Sequence, residues 1–172
     1  MNSSGNSALK AFLDRVRPRY AARVEAPGLS LPDRLSAVEP SPALTHHRRR
    51  SRLRATAARE LANVVRWSEG EEAVAAGLLA DVGVAVLLQE AADVYEPLYE
   101  GAQAGDFDLV EAERRVFQFD HHELTQRLLD EWRVPPAIAA TLAEARDGGD
   151  AAITLRRPAR LVYVAELLAA VV

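Results

Sequence analysis

Residues 73–88 have the sequence AVAAGLLADVGVAVLL, which is the most apolar segment of the chain. Asp81 is its one charged residue, so a helix here would be apolar on almost every side, as is typical of a helix at the centre of a bundle. We therefore predict a single helix over residues 71–92. Gly77 and Gly83 would each destabilise that helix by about 1 kcal/mol relative to alanine. Both glycines are expected where a neighbouring helix comes close or where the helix breaks.

Helices are also predicted on both sides of this segment, because apolar residues recur at helical spacing. These helices cover residues 7–24, 48–67, 95–103, 109–117, 121–132, 136–146 and 156–172. Asp108 and Asp120 stand where helix N-caps are expected, and Pro136 occupies a favoured first-turn position. No segment shows the alternation of a strand. The prediction is an all-α compact bundle of about six to eight helices with no sheet.

The same spacing predicts which side of each helix is buried. In the first helix, Pro18 should stop or kink the helix. The predicted inward positions are Leu9, Phe12, Leu13 and Val16, then Leu53, Ala57, Leu61 and Val64 or Val65, then Leu124, Leu128, Leu129 and Trp132, and finally Leu161, Val164 or Ala165, and Leu168.

A stretch rich in helix breakers divides the sequence. Residues 25–45 contain Pro27, Gly28, Pro32, Pro40 and Pro42. Such a composition favours a linker. The predicted organisation is an N-terminal helix with this linker over residues 1–45, followed by a helical domain over residues 46–172.

Composition sets the broad class of protein. Hydrophobic residues make up 49% of the chain and charged residues 27%, which suits a soluble domain with a buried core. The formal net charge of -4 argues against a general nucleic-acid binder, and the absence of cysteine excludes disulfides and thiolate sites. No secretory signal or membrane-spanning run is apparent. We expect a cytoplasmic protein with no membrane segment.

Three stretches resemble HDOD domains, a branch of the HD superfamily of helical domains. The first is Arg50-Ser51 followed by ARELA at residues 58–62. The second, AGLLADVGV at residues 76–84, stands where HD proteins typically have G-L-L-H-D-I-G-K. The third is similar to the family block E…F-G-x-D-H-x-E-L-G…L-L…W-x-L-P, and its matching residues are Glu113, Asp120, His121, Trp132 and Pro135. HDOD domains usually carry a further helical half upstream, so the chain resembles a half-size or truncated version.

The resemblance also implies a set of site positions. Enzymatic HD domains hydrolyse phosphate esters with divalent metal held by a histidine, a histidine–aspartate pair and a distant aspartate. Carried over by position, the first histidine falls at Arg50 and the histidine of the pair at Ala80, and only Asp81 is retained. Because arginine does not ligate metals, we expect no catalytic residues, no metal and no cofactor. A buried carboxylate at Asp81 then needs another partner, and Arg50 is the predicted one.

The four histidines form two adjacent pairs, His46-His47 and His121-His122. Neighbouring residues on a helix point about 100° apart, so each pair offers at most one ligand to a common centre. A site built from one histidine of each pair and Asp81 stays open. The preferred interpretation makes His121 a structural hydrogen-bonding residue and places His122 at the surface.

Five arginines lie close together at the start of a predicted helix, where positive charge opposes the helix dipole. They are Arg48, Arg49, Arg50, Arg52 and Arg54. One interpretation is a binding site for the phosphate groups of a nucleotide messenger or nucleic acid, or for an acidic partner. The preferred interpretation is a solvated surface balanced by nearby glutamates.

Together these features predict a non-catalytic bacterial signalling or scaffolding module that acts by contact with protein partners, with a homodimer left open. One alternative is an HD-type metal-dependent phosphohydrolase with an atypical metal site. Another is a nucleotide- or nucleic-acid-binding module that uses the arginines of residues 48–54.

Overall fold

The computed structural model describes residues 3–24, 40–67, 70–146 and 157–170. In these residues the chain forms nine helices: α1 (Ser3–Val24), α2 (Pro42–Val64), α3 (Gly70–Leu79), α4 (Val82–Glu90), α5 (Ala92–Ala104), α6 (Leu109–Phe117), α7 (His121–Glu131), α8 (Pro136–Arg146) and α9 (Arg157–Ala169). The same ranges contain no strand. The predicted all-α class is confirmed. Within these ranges, no helix is both long enough and apolar enough to span a membrane.

The helices belong to two compact units, each assembled from two separate parts of the chain. The first unit consists of residues 1–45 and 82–128, and the second of residues 46–81 and 129–172. In the first unit α5 packs against α4 and α6, and α6 packs against α1. In the second unit α3, α8 and α9 pack against one another. The division at residue 45 that we drew from the sequence stays a prediction.

Aromatic side chains, which are few in this sequence, gather in the core of the first unit. The ring centroids of Phe12 and Phe119 lie 5.5 Å apart, and those of Phe119 and Phe117 lie 5.8 Å apart. Tyr95 follows at 6.1 Å from Phe117. Tilted pairs at these distances are favourable for aromatic rings. This row of rings joins α1, α5 and the segment from α6 to α7.

The central apolar segment contains two helices, so the prediction of one unbroken helix over residues 71–92 is wrong. Ala80 and Asp81 form a turn between α3 and α4. On the far side of the turn, the amide of Gly83 donates a hydrogen bond to Thr125 Oγ1 at 2.9 Å. A first-turn N–H has no acceptor within its own helix, so this hydroxyl satisfies it. The start of α4 is thereby stabilised from α7.

Both glycines of the segment lie at close helix contacts, as predicted. A Cβ atom on Gly77 would lie 3.2 Å from the Cα atom of Ala55. A Cβ atom on Gly83 would lie 2.3 Å from the carbonyl oxygen of His121 and 2.8 Å from Thr125 Oγ1. The absent side chains let α2 approach α3, and α7 approach α4.

α2 begins six residues before the predicted start, so the end of the predicted linker is helical. The side chain of Ser41 caps this helix by accepting a hydrogen bond from the amide of Leu44 at 3.2 Å. The buried face of α2 also differs from the prediction: Leu53, Ala57 and Leu61 are half-buried, and Val64 and Val65 are exposed. Its buried positions are Ala43, Leu44, His47, Ser51, Arg54, Ala55, Ala58 and Ala62. Five of these eight residues are alanine or serine, and Ala55 lies at the close approach to Gly77 of α3.

The other helices follow the predicted pattern with small differences. α1 buries its predicted face and continues past Pro18, so Pro18 does not end it. α7 buries its three leucines, Trp132 is half-buried, and α9 buries Leu161 and Ala165. Leu168 is exposed, against the prediction. Asp147-Gly148-Gly149-Asp150 has the composition of a turn, and these residues lie outside the described part of the chain.

The contact at Gly83 predicts a large loss of stability for Gly83→Ala. The new methyl group would overlap a backbone carbonyl, which cannot move without shifting α7, and overpacking of this kind costs about 1–3 kcal/mol. Urea unfolding monitored by circular dichroism measures the change. Gly101→Ala is the matched control, because its Cβ would overlap the ring of the exposed Phe107, which can rotate away, and would lie at an ordinary contact distance of 3.7 Å from Asp106 Oδ2. Equal losses in the two variants would contradict the prediction.

Candidate functional site

Arg54 is buried in the second unit, with a relative exposure of 2%. Its Nη1 donates to Asp81 Oδ2 at 2.7 Å and also to Glu166 Oε2. Its Nε donates to the carbonyl oxygen of Gly77 at 2.7 Å. The carbonyls of the last helical turn lack N–H donors within the helix, so Arg54, which donates to one of them, caps the C-terminal end of α3.

A second arginine extends this group of charges. Arg50, one turn before Arg54 on α2, donates from Nη2 to Glu166 Oε1 at 2.6 Å. Glu166 therefore bridges two guanidinium groups, one through each carboxylate oxygen. We refer to Arg50, Arg54, Asp81 and Glu166 as the arginine–carboxylate cluster. It joins α2, α9 and the turn after α3 within the second unit, and its formal charges sum to zero.

The electrostatics keep Arg54 charged. Burial opposes the charged guanidinium, but the adjacent carboxylates of Asp81 and Glu166 outweigh that effect and raise the pKa of Arg54 above its usual value. A buried charge is tolerated only where partners of opposite charge surround it. The cluster meets that requirement.

The first unit holds a second polar network around Glu113, which is fully buried. Its carboxylate accepts hydrogen bonds from the hydroxyl of Tyr95 and, at 2.9 Å, from the backbone amide of His121. His121 Nδ1 also lies 2.7 Å from Glu113 Oε2. The backbone amide and the imidazole of His121 therefore lie against the same carboxylate. Glu113 thus fixes the orientation of the His121 ring.

Asp120 caps α7 and is also buried. Its Oδ1 accepts a hydrogen bond from the amide of Glu123 at 2.9 Å, and its Oδ2 lies 2.6 Å from Arg114 Nη2. Burial disfavours the charged carboxylate, but the Glu123 amide, Arg114 and His122 outweigh it and lower the pKa of Asp120. Asp120 and Glu113 together satisfy two amides at the start of α7.

Residues 30–147 match the HDOD domain family. The chain belongs to the HDOD family. A crystal structure of a protein named "putative phosphohydrolase", from Shewanella amazonensis SB2B, is similar with a TM-score of 0.60 and 19% sequence identity. The match covers 88% of this chain and 62% of that one, so this chain spans less than two thirds of the length of its structural neighbour. At this identity the likeness shows the fold alone. No curated protein matches the sequence.

Three of the five motif residues in the third HDOD-like stretch lie together in the structure. Glu113, Asp120 and His121 lie together in the first unit, at the start of α7. Trp132 follows α7 and is half-buried, and the carbonyl of Pro135 accepts a hydrogen bond from the amide of Ile138 at the start of α8. His121 is a buried hydrogen-bonding residue as predicted. His122 is half-buried, not at the surface, with its ring centroid 3.9 Å from that of His121.

The degenerate HD positions need one correction. The sequence predicted Arg50 as the partner of Asp81, but the guanidinium bound to Asp81 is that of Arg54, and Arg50 binds Glu166. The two arginines are four residues apart and share one side of α2, so both reach the cluster. Ala80 is half-buried in the turn before Asp81. The contacts of Glu166 and Tyr95 were missed: Glu166 stands in a last helix that resembles the closing helix of HDOD domains, but neither residue was assigned a role from the sequence.

The run of five arginines does not form one surface. Arg54 is buried, Arg50 binds Glu166, and Arg48 is half-buried, whereas Arg49 and Arg52 are exposed. The run also begins in the second turn of α2 and not at its N-terminus, because the helix starts at residue 42. Of the five arginines in the predicted phosphate-binding site, Arg54 is therefore buried away from any ligand, and only Arg49 and Arg52 are exposed.

The residues of the open metal-site alternative differ in burial. His46 is exposed, His47 and His121 are buried, and His122 is half-buried. Asp81, the carboxylate of that alternative, is half-buried.

The cluster predicts that Arg54→Met destabilises the HDOD domain by about 1–3 kcal/mol, because it leaves the half-buried carboxylate of Asp81 and the carbonyl at the end of α3 without their donor. Arg50→Met removes only one of the two cations on Glu166 and should cost about 1 kcal/mol or less. Urea unfolding of both variants measures the difference. Adding Asp81→Asn and Glu166→Gln to Arg54→Met should recover part of the loss. A loss for Arg54→Met no larger than that for Arg50→Met would contradict this assignment.

Asp120 predicts a pH-dependent difference in stability. Since its pKa is lower in the folded state, the carboxylate stabilises the fold above the unfolded-state pKa of about 3.9. That contribution is lost as the pH falls through the folded-state pKa. Asp120→Asn keeps an N-cap residue but loses the Arg114 ion pair, so it should cost about 1 kcal/mol at neutral pH.

The matched control for that variant is Asp108→Asn. Asp108 caps α6 in the same way, by accepting a hydrogen bond from the amide of Glu111 at 2.8 Å, but at an exposed position. Unfolding free energies measured from neutral pH down to about pH 3 should show the Asp120→Asn deficit shrinking in acid, with little deficit for Asp108→Asn. A deficit that grows as the pH falls would reverse the sign that we assign.

Proposed function

We propose that this HDOD chain is a non-catalytic module that transmits or scaffolds a bacterial signal through contact with protein partners. The observation that supports the proposal is the ion pair between Arg54 and Asp81 at 2.7 Å. Asp81 is the one position, among those carried over from enzymatic HD domains, that keeps a metal-ligating residue. Here its carboxylate binds a guanidinium, which is always protonated and offers no lone pair to a metal.

The charge of the cluster supports the same function. A metal hydrolase needs several N or O donors that pin a cation before it can acidify a water molecule and offset phosphoryl charge. In the second unit Asp81 and Glu166 provide two negative charges, and Arg50 and Arg54 provide two positive charges at hydrogen-bonding distance. Carboxylates already neutralised in this way exert little net attraction on a divalent cation. The interior that binds metal in hydrolytic relatives thus serves to hold helices together.

A module without catalytic activity acts through contact with other proteins. The HDOD resemblance implies signal transduction, often beside receiver, kinase or cyclic-dinucleotide domains. A module of this kind needs a stable scaffold whose surface is recognised by a partner, and the buried polar networks of both units supply the fixed geometry. We assign the partner to the class of signalling proteins.

The enzymatic part of the proposal is tested by hydrolysis assays with added metal. Purified protein should show no turnover of bis(p-nitrophenyl) phosphate or of cyclic dinucleotides with Mn²⁺, Mg²⁺, Fe²⁺ or Zn²⁺, and elemental analysis should find these metals far below one per chain. Asp81→Asn is compared with Asp93→Asn, a change at an exposed carboxylate of α5. Metal-dependent turnover that survives in Asp93→Asn and disappears in folded Asp81→Asn would overturn the proposal.

The contact part is tested in the producing bacterium. Cross-linking followed by purification of the full chain should recover one or a few signalling proteins at near-equal amounts. Purified candidates should then bind the full chain directly in a titration. Recovery of no protein at such amounts, with the chain folded and expressed at its native level, would count against a scaffolding role.

A further inference from the structure

A cleft of about 560 Å³ opens in the first unit. Its walls come from the first turn of α1, the C-terminal end of α6 and the first turn of α7. The side chains that line it are those of Ser4, Asn6, Arg114, Arg115, Gln118 and Glu123. The volume falls within the range of about 300–1,000 Å³ that small-molecule sites occupy. We propose that this cleft binds a phosphorylated sugar or a similar phosphorylated polyol.

Two guanidinium groups provide the phosphate end of the site. Arg114 Nη2 binds Asp120 Oδ2 at 2.6 Å, and Arg115 Nη2 binds Glu111 Oε2 at 3.2 Å. Each guanidinium carries five N–H donors, so one ion pair leaves most of them for a ligand. The Arg115–Glu111 pair is exposed and stabilises its helix only slightly, so Arg115 can turn to a phosphate at little loss. Arginine matches phosphate oxygens with paired hydrogen bonds.

The remaining walls suit hydroxyl groups. Asn6 Oδ1 accepts a hydrogen bond from Arg127 at 3.0 Å, which leaves the NH₂ group of Asn6 as a donor. The Gln118 amide can donate and accept, and the Glu123 carboxylate accepts from hydroxyls. Among the described residues that line the cleft there is no aromatic ring on which a nucleobase would stack. The chemistry favours a polyhydroxylated ligand over a nucleobase.

The walls are held in place before any ligand arrives. A Cβ atom on Gly5 would lie 2.6 Å from the carbonyl oxygen of Gln118, so α1 and the end of α6 touch through backbone. Gln118 itself ends α6 with a φ of 65°, and its amide bonds to the carbonyl of Arg114. The bond between Arg127 and Asn6 ties α7 to α1. A site whose walls are fixed in this way loses little entropy on binding.

The ligand site goes beyond the proposed function and does not depend on it. The cleft lies in the first unit, whereas the arginine–carboxylate cluster that supports a non-catalytic role lies in the second. A bound sugar phosphate would give a signalling module an input, but its binding is measured without reference to turnover or to a protein partner. Failure of one proposal therefore leaves the other standing.

Calorimetric titration of the full chain with glucose 6-phosphate tests the site, with glucose and inorganic phosphate as comparison ligands. Glucose 6-phosphate should bind, with an affinity that falls as salt is added, since charged groups carry the recognition. Inorganic phosphate should bind more weakly, and glucose should show no binding. Arg115→Gln should lower the affinity for glucose 6-phosphate about tenfold or more, as expected when a charged hydrogen-bond donor is lost.

Arg59→Gln is the matched control, because Arg59 is an exposed arginine of the second unit that pairs with Glu71 at 3.9 Å. This variant should keep the wild-type affinity, and thermal melting should show both variants folded. The proposal is overturned by the absence of glucose 6-phosphate binding, or by equal affinities in Arg115→Gln and Arg59→Gln. Inorganic phosphate that binds as tightly as glucose 6-phosphate would remove the sugar from the proposal.

Discussion

The packing of the second unit depends on one buried guanidinium group, that of Arg54. Arg54 can be buried only because acceptors from three parts of the chain converge on it: a carbonyl at the end of α3, the carboxylate of the following turn, and a carboxylate on α9. The half-buried carboxylates and the helix-end carbonyl in turn gain from the arginine, since a partly desolvated carboxylate or a helix-end carbonyl without a donor is costly. The position of α2 against α3 and α9 follows from this mutual requirement.

The same residue explains why the apolar segment breaks where it does. A continuous helix would satisfy the Gly77 carbonyl internally and would carry Asp81 along its own surface. In the folded chain Arg54 donates a hydrogen bond to the Gly77 carbonyl at the end of α3. The hydroxyl of Thr125 stabilises the start of α4 by accepting a hydrogen bond from the amide of Gly83. Side chains from elsewhere thus satisfy both helix ends at the Ala80–Asp81 turn. Glu113 is comparable in the first unit, because its carboxylate accepts hydrogen bonds from Tyr95 on α5 and from the amide of His121 on α7.

Much of the fold was predictable from local patterns, and the site only in part. Capping residues such as Asp108 and Asp120 and the apolar stripe of α7 act within a few residues, so the sequence shows them directly. The burial of Arg54 depends on Glu166, more than a hundred residues away, and no local pattern reveals such a partner. Periodicity placed Leu53 and Leu61 inward because they are large and apolar, whereas the close approach of α2 to Gly77 requires the small Ala55. The family resemblance drew attention to Asp81 but paired it with Arg50, whereas its partner is Arg54, one turn further along the same side of α2.

The arginine–carboxylate cluster also constrains how this lineage can change over evolutionary time. Replacing Arg54 alone leaves Asp81 without its cation and the cluster with a net negative charge, and replacing either acid alone leaves an excess of positive charge, so each single exchange passes through a less stable protein. Sequences that keep this fold are therefore expected to keep these four residues as a set or to lose them as a set.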